Sequence, residues 1–356
     1  MQVFCKGNER IWKNAEFILR DLAGGKAGDN IVVIADSVSY TNARALCDCA
    51  KNLGMHSLII DIDHYGGSER YRKLPLMAPL RAAILNADIS FMVTDQMKTD
   101  FGLFLGNPDE CDTALLGVGK RFTLEANGMS EWDFDPQEVL HFRERTMKLL
   151  AWLKAADTVR LTTARGTDFT CKVGGRPDGM YPVMAIIPFY AEIAIVPKIG
   201  DASGVVVADG ASEYAYGQRG FPIRPAFPGH QELYKEPMRM VFDKGMLVDY
   251  SGDAEQVKRL KTLLETVTPS PTLCDEVGLV TTTSIENDLY GWQVDGTHQT
   301  HAVHVAIGNN FRRGEVIHAP EHVDFDIHDP TIEVDGQIIY KERTFNDELI
   351  FNKGRG

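Results

Sequence analysis

The chain has 356 residues, which is enough for two domains or one large domain with a substantial buried core. Its net charge of −13 argues against a nucleic-acid-binding surface, which needs a basic stripe, and no apolar run approaches the length of a membrane span. The first residues also lack the apolar segment of a signal peptide. We therefore expect a cytoplasmic protein that binds neither nucleic acid nor membrane.

The first half of the sequence alternates helix and strand patterns. An amphipathic helix is predicted over about residues 9–23. After it come predicted strands over residues 30–36, 56–62 and 89–95 and predicted helices over residues 41–54 and 77–87. Strand patterns that are apolar on both faces and separated by helices indicate a mainly parallel sheet with crossover helices. No G-x-G-x-x-G follows the first strand and no Walker loop is present, so we expect a scaffold rather than a nucleotide-binding domain.

The pattern changes after a long helix predicted over residues 136–157. A hairpin with a turn near Gly166 follows, and short β patterns rich in glycine then dominate, interrupted by a helix over residues 253–267. We therefore predict two domains with different sheet types. They are an α/β domain over residues 1–157, and an α+β, sheet-rich, metal-binding domain over residues 158–356.

Six cysteines are spread along the chain without a C-x-x-C pair, which argues against a zinc knuckle. Cys47 and Cys49 lie within a helical pattern, where residues two apart point in different directions. We predict that they are buried thiols in a reducing compartment and do not form disulfides.

Histidines are concentrated near the end of the chain, where six of the ten lie between residues 298 and 328, close to Asp324 and Asp326. Imidazole nitrogens and carboxylate oxygens are the ligands that bind zinc, cobalt, manganese or non-haem iron. The tightest unit is the H-x-D of His322 and Asp324, whose side chains would share a face if the segment is a strand. A single H-x-D is a weak signal, and scattered surface histidines in an acidic protein are the alternative.

Polar residues interrupt four apolar strand patterns of the second half. They are Glu192, Glu276, His304, and the pair His322 and Asp324. Two histidines and three carboxylates from four strands would form a site for one or two divalent metals, since a buried carboxylate is unfavourable unless it is paired or bound to a metal. Taken alone, Glu192 could equally lie on an exposed edge, and Glu276 is more typical of a surface strand end.

The order of these segments resembles the thermophilic aminopeptidase (aminopeptidase T) family. Its motifs are G-E-x-x-x-x-P, E-x-x-x-G-T-N, H-x-A-L-G-x-x-Y and H-x-D. The corresponding segments here are AEIAIVP from Ala191, EVGLVTT from Glu276, HVAIGNNF from His304 and HVD from His322. The resemblance spans roughly residues 160 to 345, and the ordered set of four is much more specific than any one segment.

The resemblance implies the metal ligands and the oligomeric state. The ligands would be Glu192, Glu276, His304, His322 and Asp324. Glu192 would also move a proton as a catalytic group, and the protein would be a homodimer. Among the neighbouring residues, His298 and His301 are expected on a polar loop or strand approach. Arg312 and Arg313 are expected in solvent, although paired arginines could hold a substrate carboxylate.

Several positions depart from the family pattern. The family's active-site tyrosine falls on Phe311, which has no hydroxyl to bind a metal or stabilise an oxyanion. Val280 and Thr282 replace the glycine and asparagine of E-x-x-x-G-T-N. The same fold family includes the mononuclear iron(II) 2,5-dihydroxypyridine dioxygenases. In them a histidine stands at the position of Glu276, and a serine ligand falls near Ala306.

Three hypotheses follow from this pattern. The first is a metal-dependent hydrolase acting on an amide or related bond of a small molecule or short peptide, with zinc, cobalt or manganese. The second is an iron(II) dioxygenase that opens a ring, in which His304, His322 and Asp324 would form a two-histidine, one-carboxylate site. The third is a degenerate member of the family that binds a ligand without turnover.

Overall fold

The structure is a computed structural model and divides into two compact units. It describes residues 9–63, 78–94, 120–125, 128–130, 132–175, 179–184, 186–187, 191–198, 200–215, 236–266, 273–282, 302–308 and 321–354. The first unit contains the described residues up to Leu140 together with residues 186–187. The second unit contains the described residues from His141 onward, apart from that pair. The domain boundary between residues 157 and 158 stays a prediction.

The elements of the first part of the chain follow the predicted order. They are α1 (Glu9–Phe17), a π-helical turn (Ile18–Leu22), β1 (Asn30–Ala35), α2 (Tyr40–Asn52), β2 (His56–Asp61), α3 (Ala78–Leu85), β3 (Ile89–Thr94), β4 (Lys120–Glu125), a 3-10 turn (Gly128–Ser130) and α4 (Pro136–Leu153). Strand β4 was not predicted. Helix α4 ends at Leu153 rather than at residue 157. The N–H groups of Asp157 and Thr158 donate to the Asp335 carboxylate at 3.0 and 2.9 Å.

The rest of the chain consists mainly of strands. They are β5 (Thr158–Thr162), β6 (Asp168–Lys172), β7 (Met180–Val183), β8 (Ile186–Ile187), β9 (Glu192–Ile195), β10 (Ala202–Ala208), β11 (Gly210–Ala215), β12 (Met238–Asp243), β13 (Met246–Ser251), β14 (Cys274–Val280), β15 (Ala302–Gly308), β16 (Glu321–His328), β17 (Thr331–Val334), β18 (Gln337–Lys341) and β19 (Thr344–Phe345). Among the described residues, helices α5 (Ala254–Thr266) and α6 (Asp347–Lys353) accompany them. None of the helices in the described ranges is long and apolar enough to cross a membrane.

The first unit is built on a parallel sheet with the strand order β2-β1-β3-β4-β8, so the predicted parallel pairing is confirmed. Strand β1 is buried, and its Ile34 packs with Ile84 of α3 in an apolar cluster. Strand β2 lies at the sheet edge, where the Leu58 side chain is 54% exposed. The expectation of burial on both faces is therefore wrong for β2, whose side chains are exposed or half-buried among the described residues.

The second unit contains two antiparallel sheets. One has eight strands in the order β13-β12-β10-β6-β5-β17-β18-β19, and it includes the predicted hairpin of β5 and β6 with Gly166 at a positive φ of 106°. The other has six strands in the order β11-β16-β15-β14-β9-β7. Apolar side chains from both sheets and from the end of α4 form one continuous core. The six-stranded sheet carries the predicted metal ligands.

The predicted burial of Cys47 and Cys49 is confirmed, and the compartment stays a prediction. Cys47, Cys49, Cys171 and Cys274 are buried and are not in disulfides. Burial disfavours the thiolate, and it raises the pKa of Cys47 and of Cys49 to about 11. These two thiols therefore stay protonated and unreactive at neutral pH.

Candidate metal centre

The six-stranded sheet has one apolar face and one polar face, and β16 shows the division most clearly. Val323, Phe325 and Ile327 alternate along it and enter the core. The residues between them lie on the opposite face, because successive residues of a strand point to opposite sides. Asp324 and Asp326 are thereby placed on the polar face, with 3% and 0% of their surfaces exposed. This face is polar and is nevertheless shielded from water.

The register of the strands brings the predicted ligands onto this same face. Glu276 of β14 lies opposite Ala306 of β15, which lies opposite Asp324 of β16. One step along the sheet, His304 lies opposite Gly278. Glu192 of β9 pairs with Val280 at the end of β14. Directly opposed residues in an antiparallel sheet share a face, so four adjacent strands place these carboxylates and the imidazole on one face.

The side chains converge on the imidazole of His304. Its Nε2 lies 3.7 Å from Oε1 of Glu192 and 3.9 Å from Oδ1 of Asp324. One donor atom each from Glu192, Glu276 and His304 lie within 4.8 Å of one another, and all three residues are buried. Exposed positions for Glu192 and Glu276, which the sequence alone left open or favoured, are therefore wrong. A glutamate at an exposed strand end and a glutamate on a buried strand have the same local sequence pattern.

Gly278 makes room for the imidazole. A Cβ atom at this position would overlap the His304 ring, so a larger residue on β14 would push the ring away from the acidic side chains. Ala306 lies between Glu276 and Asp324 in the register, and its side chain is a single methyl group. Small residues in the middle of the face therefore create the space that the longer side chains occupy.

Asp326 is a buried acid of this face that the sequence analysis did not assign. It lies directly opposite His304 in the register of β15 and β16 and is fully buried. The sequence signal was present, because His322, Asp324, Asp326 and His328 follow one another at every second position. Extending the two-residue period beyond H-x-D would have found Asp326.

The polar face continues from Asp326 towards solvent. Asp209, which is buried, donates its N–H to the Asp326 carbonyl at 2.8 Å and forms an ion pair with the exposed Arg165. Nδ1 of His328 lies 3.8 Å from Oδ2 of Asp209. Burial lowers the pKa of His328, and the cations of Arg165 and Arg343 act in the same direction, against the opposing charge of Asp329. His328 is therefore largely neutral at neutral pH.

A network of hydrogen bonds holds the end of β14 against the start of β9. The Thr281 N–H and hydroxyl donate to the Ala191 carbonyl at 2.9 and 3.1 Å, next to Glu192. Arg145 of α4, which is buried, donates to the Thr281 carbonyl at 3.0 Å. The same guanidinium donates to both carboxylate oxygens of Asp347 at 2.5 and 2.8 Å. Helices α4 and α6 thus fix the strand ends on which Glu192 depends.

Some of the predicted residues cannot be placed completely. The backbone of His322 pairs with Gly308 and stands two residues before Asp324 on β16, but its side chain lies outside the described part of the structure. Phe311, His298, His301, Arg312 and Arg313 also lie outside the described residues.

The donor set fits a divalent cation. Glu192, Glu276 and Asp324 place three carboxyl groups inside a buried face, and their ionised forms would repel one another. A cation with two positive charges would offset that repulsion while oxygen and imidazole donors bind it. Glu192, Glu276 and His304 are therefore a possible metal-binding triad, and the identity of the metal is not determined by these donors.

No protein-family model and no curated protein matches the sequence. Solved structures with a similar fold include 2,5-dihydroxypyridine dioxygenase from Pseudomonas putida KT2440, with a TM-score of 0.65 and 15% identity over 95% of this chain and 97% of that chain. Wild-type AmpT from Thermus thermophilus is similar with a TM-score of 0.59 and 15% identity, over 95% of this chain and 99% of that chain. The chain therefore shares its fold with a dioxygenase and with AmpT.

Proposed function

We propose that the protein is a metal-dependent hydrolase of the aminopeptidase T type, acting on an amide or related bond of a small molecule or short peptide. The observation that carries this proposal is the convergence of Glu192, Glu276 and His304, whose donor atoms lie within 4.8 Å of one another on a buried face. His322 and Asp324 complete the proposed ligand set for one or two ions of zinc, cobalt or manganese. The family resemblance also supports a homodimer.

The chain's own residues have clear roles in such a reaction. A bound divalent ion would supply Lewis-acid activation of the substrate carbonyl and of water. Glu192 is a buried carboxylate beside Nε2 of His304, where it can take a proton from the attacking water and return it to the leaving amine. The buried face excludes bulk water, which strengthens the electrostatic interactions within the site.

The substrate is proposed to be specialised. Phe311 stands where the family has its active-site tyrosine and offers neither a proton nor a hydrogen bond to a developing oxyanion. A peptidase of broad range would lose that stabilisation for every substrate. A small molecule that contributes its own polar group to the reacting centre would depend less on the tyrosine.

A ring-opening iron(II) dioxygenase is the second candidate, because the TM-score for the dioxygenase, 0.65, exceeds the 0.59 for AmpT. His304, His322 and Asp324 would then provide the two-histidine, one-carboxylate set that leaves positions open for substrate and dioxygen. Glu276 counts against it, since the resemblance places a histidine there and this chain has a buried glutamate next to His304.

Reconstitution of metal-depleted protein separates these candidates. The hydrolase predicts that zinc, cobalt or manganese restores cleavage of leucine 4-nitroanilide or of dipeptides. The activity should be lost in Glu192→Gln and retained in Glu255→Gln, which makes the same chemical change on the exposed side of α5. Oxygen uptake with 2,5-dihydroxypyridine by iron(II)-loaded protein, retained in Glu276→Ala, would overturn the hydrolase. Absence of both activities with every metal would favour a non-catalytic protein.

A further inference from the structure

Two buried threonines make the same kind of contact in the two antiparallel sheets. Thr282, which follows β14, lies with its hydroxyl 3.3 Å from both the nitrogen and the carbonyl oxygen of Ala191. In the eight-stranded sheet, the Thr167 hydroxyl lies 2.9 Å from the nitrogen and 3.4 Å from the carbonyl oxygen of Val207. Each hydroxyl can therefore accept the N–H group of one residue on a neighbouring segment and donate to its carbonyl.

Ala191 lies where the ladder between β9 and β14 gives way to side-chain bonds. In a hydrogen-bonded antiparallel pair, two opposed residues exchange both of their N–H···O bonds. The Thr281 N–H donates to the Ala191 carbonyl at 2.9 Å, and the Thr281 hydroxyl donates to the same oxygen at 3.1 Å. The Ala191 N–H donates to the Thr282 hydroxyl instead, and the Thr281 carbonyl accepts from Arg145. Two threonine hydroxyls thus replace part of the ladder at the residue before Glu192.

These bonds act on Glu192 through the peptide unit that precedes it. The Ala191 carbonyl and the Glu192 Cα belong to the same peptide unit, and that unit is planar. Restraining the carbonyl oxygen and the N–H of Ala191 therefore restrains the Cα from which the Glu192 side chain begins. The Glu192 side chain is buried, and its Oε1 lies 3.7 Å from Nε2 of His304. At the other contact, Val207 is followed by Ala208, which has no metal-binding atom in its side chain.

We propose that Thr281 and Thr282 are positioning residues, whose hydroxyls hold the Glu192 carboxylate where it can bind the same cation as His304. The inference rests on the metal centre of the proposed function, and it requires no particular reaction. Neither hydroxyl needs to touch the cation, because both act through the backbone of Ala191. Losing a hydrogen bond that orients a metal ligand typically weakens metal binding by roughly 10- to 100-fold. Thr167 makes its contact away from the proposed ligands in the sequence and should act on stability alone.

The test is titration of the metal-depleted full chain with cobalt, followed by its visible spectrum, in Thr282→Val and in the matched control Thr167→Val. Each change removes a buried hydroxyl and leaves one N–H without its acceptor, so both should lower the urea midpoint of unfolding. Thr282→Val should also bind cobalt roughly tenfold more weakly and shift the visible bands. Thr167→Val should keep the wild-type affinity and spectrum. Thr282→Ser retains the hydroxyl and should restore both.

Two results would overturn the positioning role. One is a Thr282→Val protein with the cobalt affinity and spectrum of the wild type. The other is an equal loss of affinity in Thr167→Val, because that would be a general effect of destabilisation. If Thr282→Val does not fold, Thr281→Val takes its place, since it removes the other hydroxyl bond to Ala191 and keeps the bond from the Thr281 N–H. Unchanged cobalt binding in Thr281→Val would then overturn the proposal.

The same measurements separate the positioning role from the proposed hydrolase. If cobalt binding weakens in Thr282→Val alone but the wild type hydrolyses no amide, the hydrolase fails and the positioning role stands. If the wild type hydrolyses amides and Thr282→Val binds cobalt as tightly as the wild type, the hydrolase stands and the positioning role fails. A wild type that binds no cobalt would overturn the metal centre and the positioning role together.

Discussion

The two faces of the six-stranded sheet differ in what they contribute to the protein. On β16 the apolar side chains of Val323, Phe325 and Ile327 join the core, while Asp324 and Asp326 lie on the other face. The apolar face stabilises the fold by removing hydrocarbon from water. The polar face gathers buried carboxyl groups, and a bound cation would offset the repulsion between their ionised forms. Alternate residues of β16 thus contribute to the core or to the polar face.

The largest effect is expected on the apolar face. Phe325→Ala removes a fully buried aromatic ring and should lower the free energy of unfolding by about 4 kcal/mol, because a cavity remains in the core. Urea unfolding followed by circular dichroism measures this. The folded fraction of the variant should still bind metal at the wild-type ratio. A loss below about 1 kcal/mol would show that this face is not a packed core.

Arg145→Met should have the next largest effect on stability, because Arg145 holds the strand ends next to the polar face. Removing the buried guanidinium takes a donor from the Thr281 carbonyl and leaves Asp347 with the contact to His141, and it should cost about 3 kcal/mol. Thermal or urea unfolding at neutral pH measures the loss, with Arg160→Met as the control. Arg160 makes a comparable bidentate pair with Asp168 at the surface, so its replacement should cost less than about 1 kcal/mol.

The loss in Arg145→Met should also depend on pH. Burial acts to raise the pKa of Asp347, but hydrogen bonds from Arg145 and His141 outweigh it, and the pKa lies below its ordinary value. The stabilisation by this carboxylate is therefore complete above its unfolded pKa of about 4 and is lost as the pH falls through the lower folded value. The difference between wild type and variant should shrink below about pH 4. A constant difference would contradict the ion pair.

Gly278→Ala should disturb the proposed metal site and should cost less stability than Arg145→Met. Its methyl group would overlap the His304 imidazole, and overpacking of this kind costs about 2 kcal/mol. Because the ring moves away from Glu192 and Asp324, metal affinity should fall by roughly tenfold or more. Titration with cobalt, followed by its visible spectrum, measures the affinity. Unchanged affinity would show that His304 does not bind the metal from its present position.

The smallest expected effect is a gain in stability rather than a loss. Glu276→Gln removes one negative charge from the polar face and should stabilise the metal-free protein by about 1 kcal/mol, while the metal-loaded protein gains nothing. Urea unfolding with and without chelator measures the stability of the metal-free and of the metal-loaded protein. Glu255→Gln on the exposed side of α5 breaks a surface pair with Arg259 and should cost less than about 0.5 kcal/mol, equally with and without chelator. Destabilisation of the metal-free protein by Glu276→Gln would show that this carboxylate has a structural role instead.

The sequence predicted the elements better than their environment. Periodicity located β1, α2 and the hairpin of β5 and β6, because burial on one or both faces leaves a local pattern. It could not show that β2 is an edge strand, since the position of a strand in a sheet depends on distant pairing. For the same reason the burial of Glu276 was not visible locally.

For the candidate site, the sequence predicted most of the acidic and histidine residues but not the residues that support them. The ordered motifs identified Glu192, Glu276, His304 and Asp324, and the register shows that they share one face. The support from Arg145 could not be found this way, because nothing in the sequence of α4 distinguishes Arg145 from Arg143. Only the tertiary contacts show that Asp347 lies beside one arginine and not the other.

Metal content measured on anaerobically purified protein tests the central claim most directly, namely that the polar face is a metal centre. The protein would be analysed for zinc, cobalt, manganese and iron alongside Glu276→Gln and the control Glu255→Gln. We expect about one or two divalent ions per chain in the wild type and the control, and a clear loss in Glu276→Gln. A wild type that holds no metal even after reconstitution, or a Glu276→Gln variant with undiminished metal, would contradict this assignment of the site.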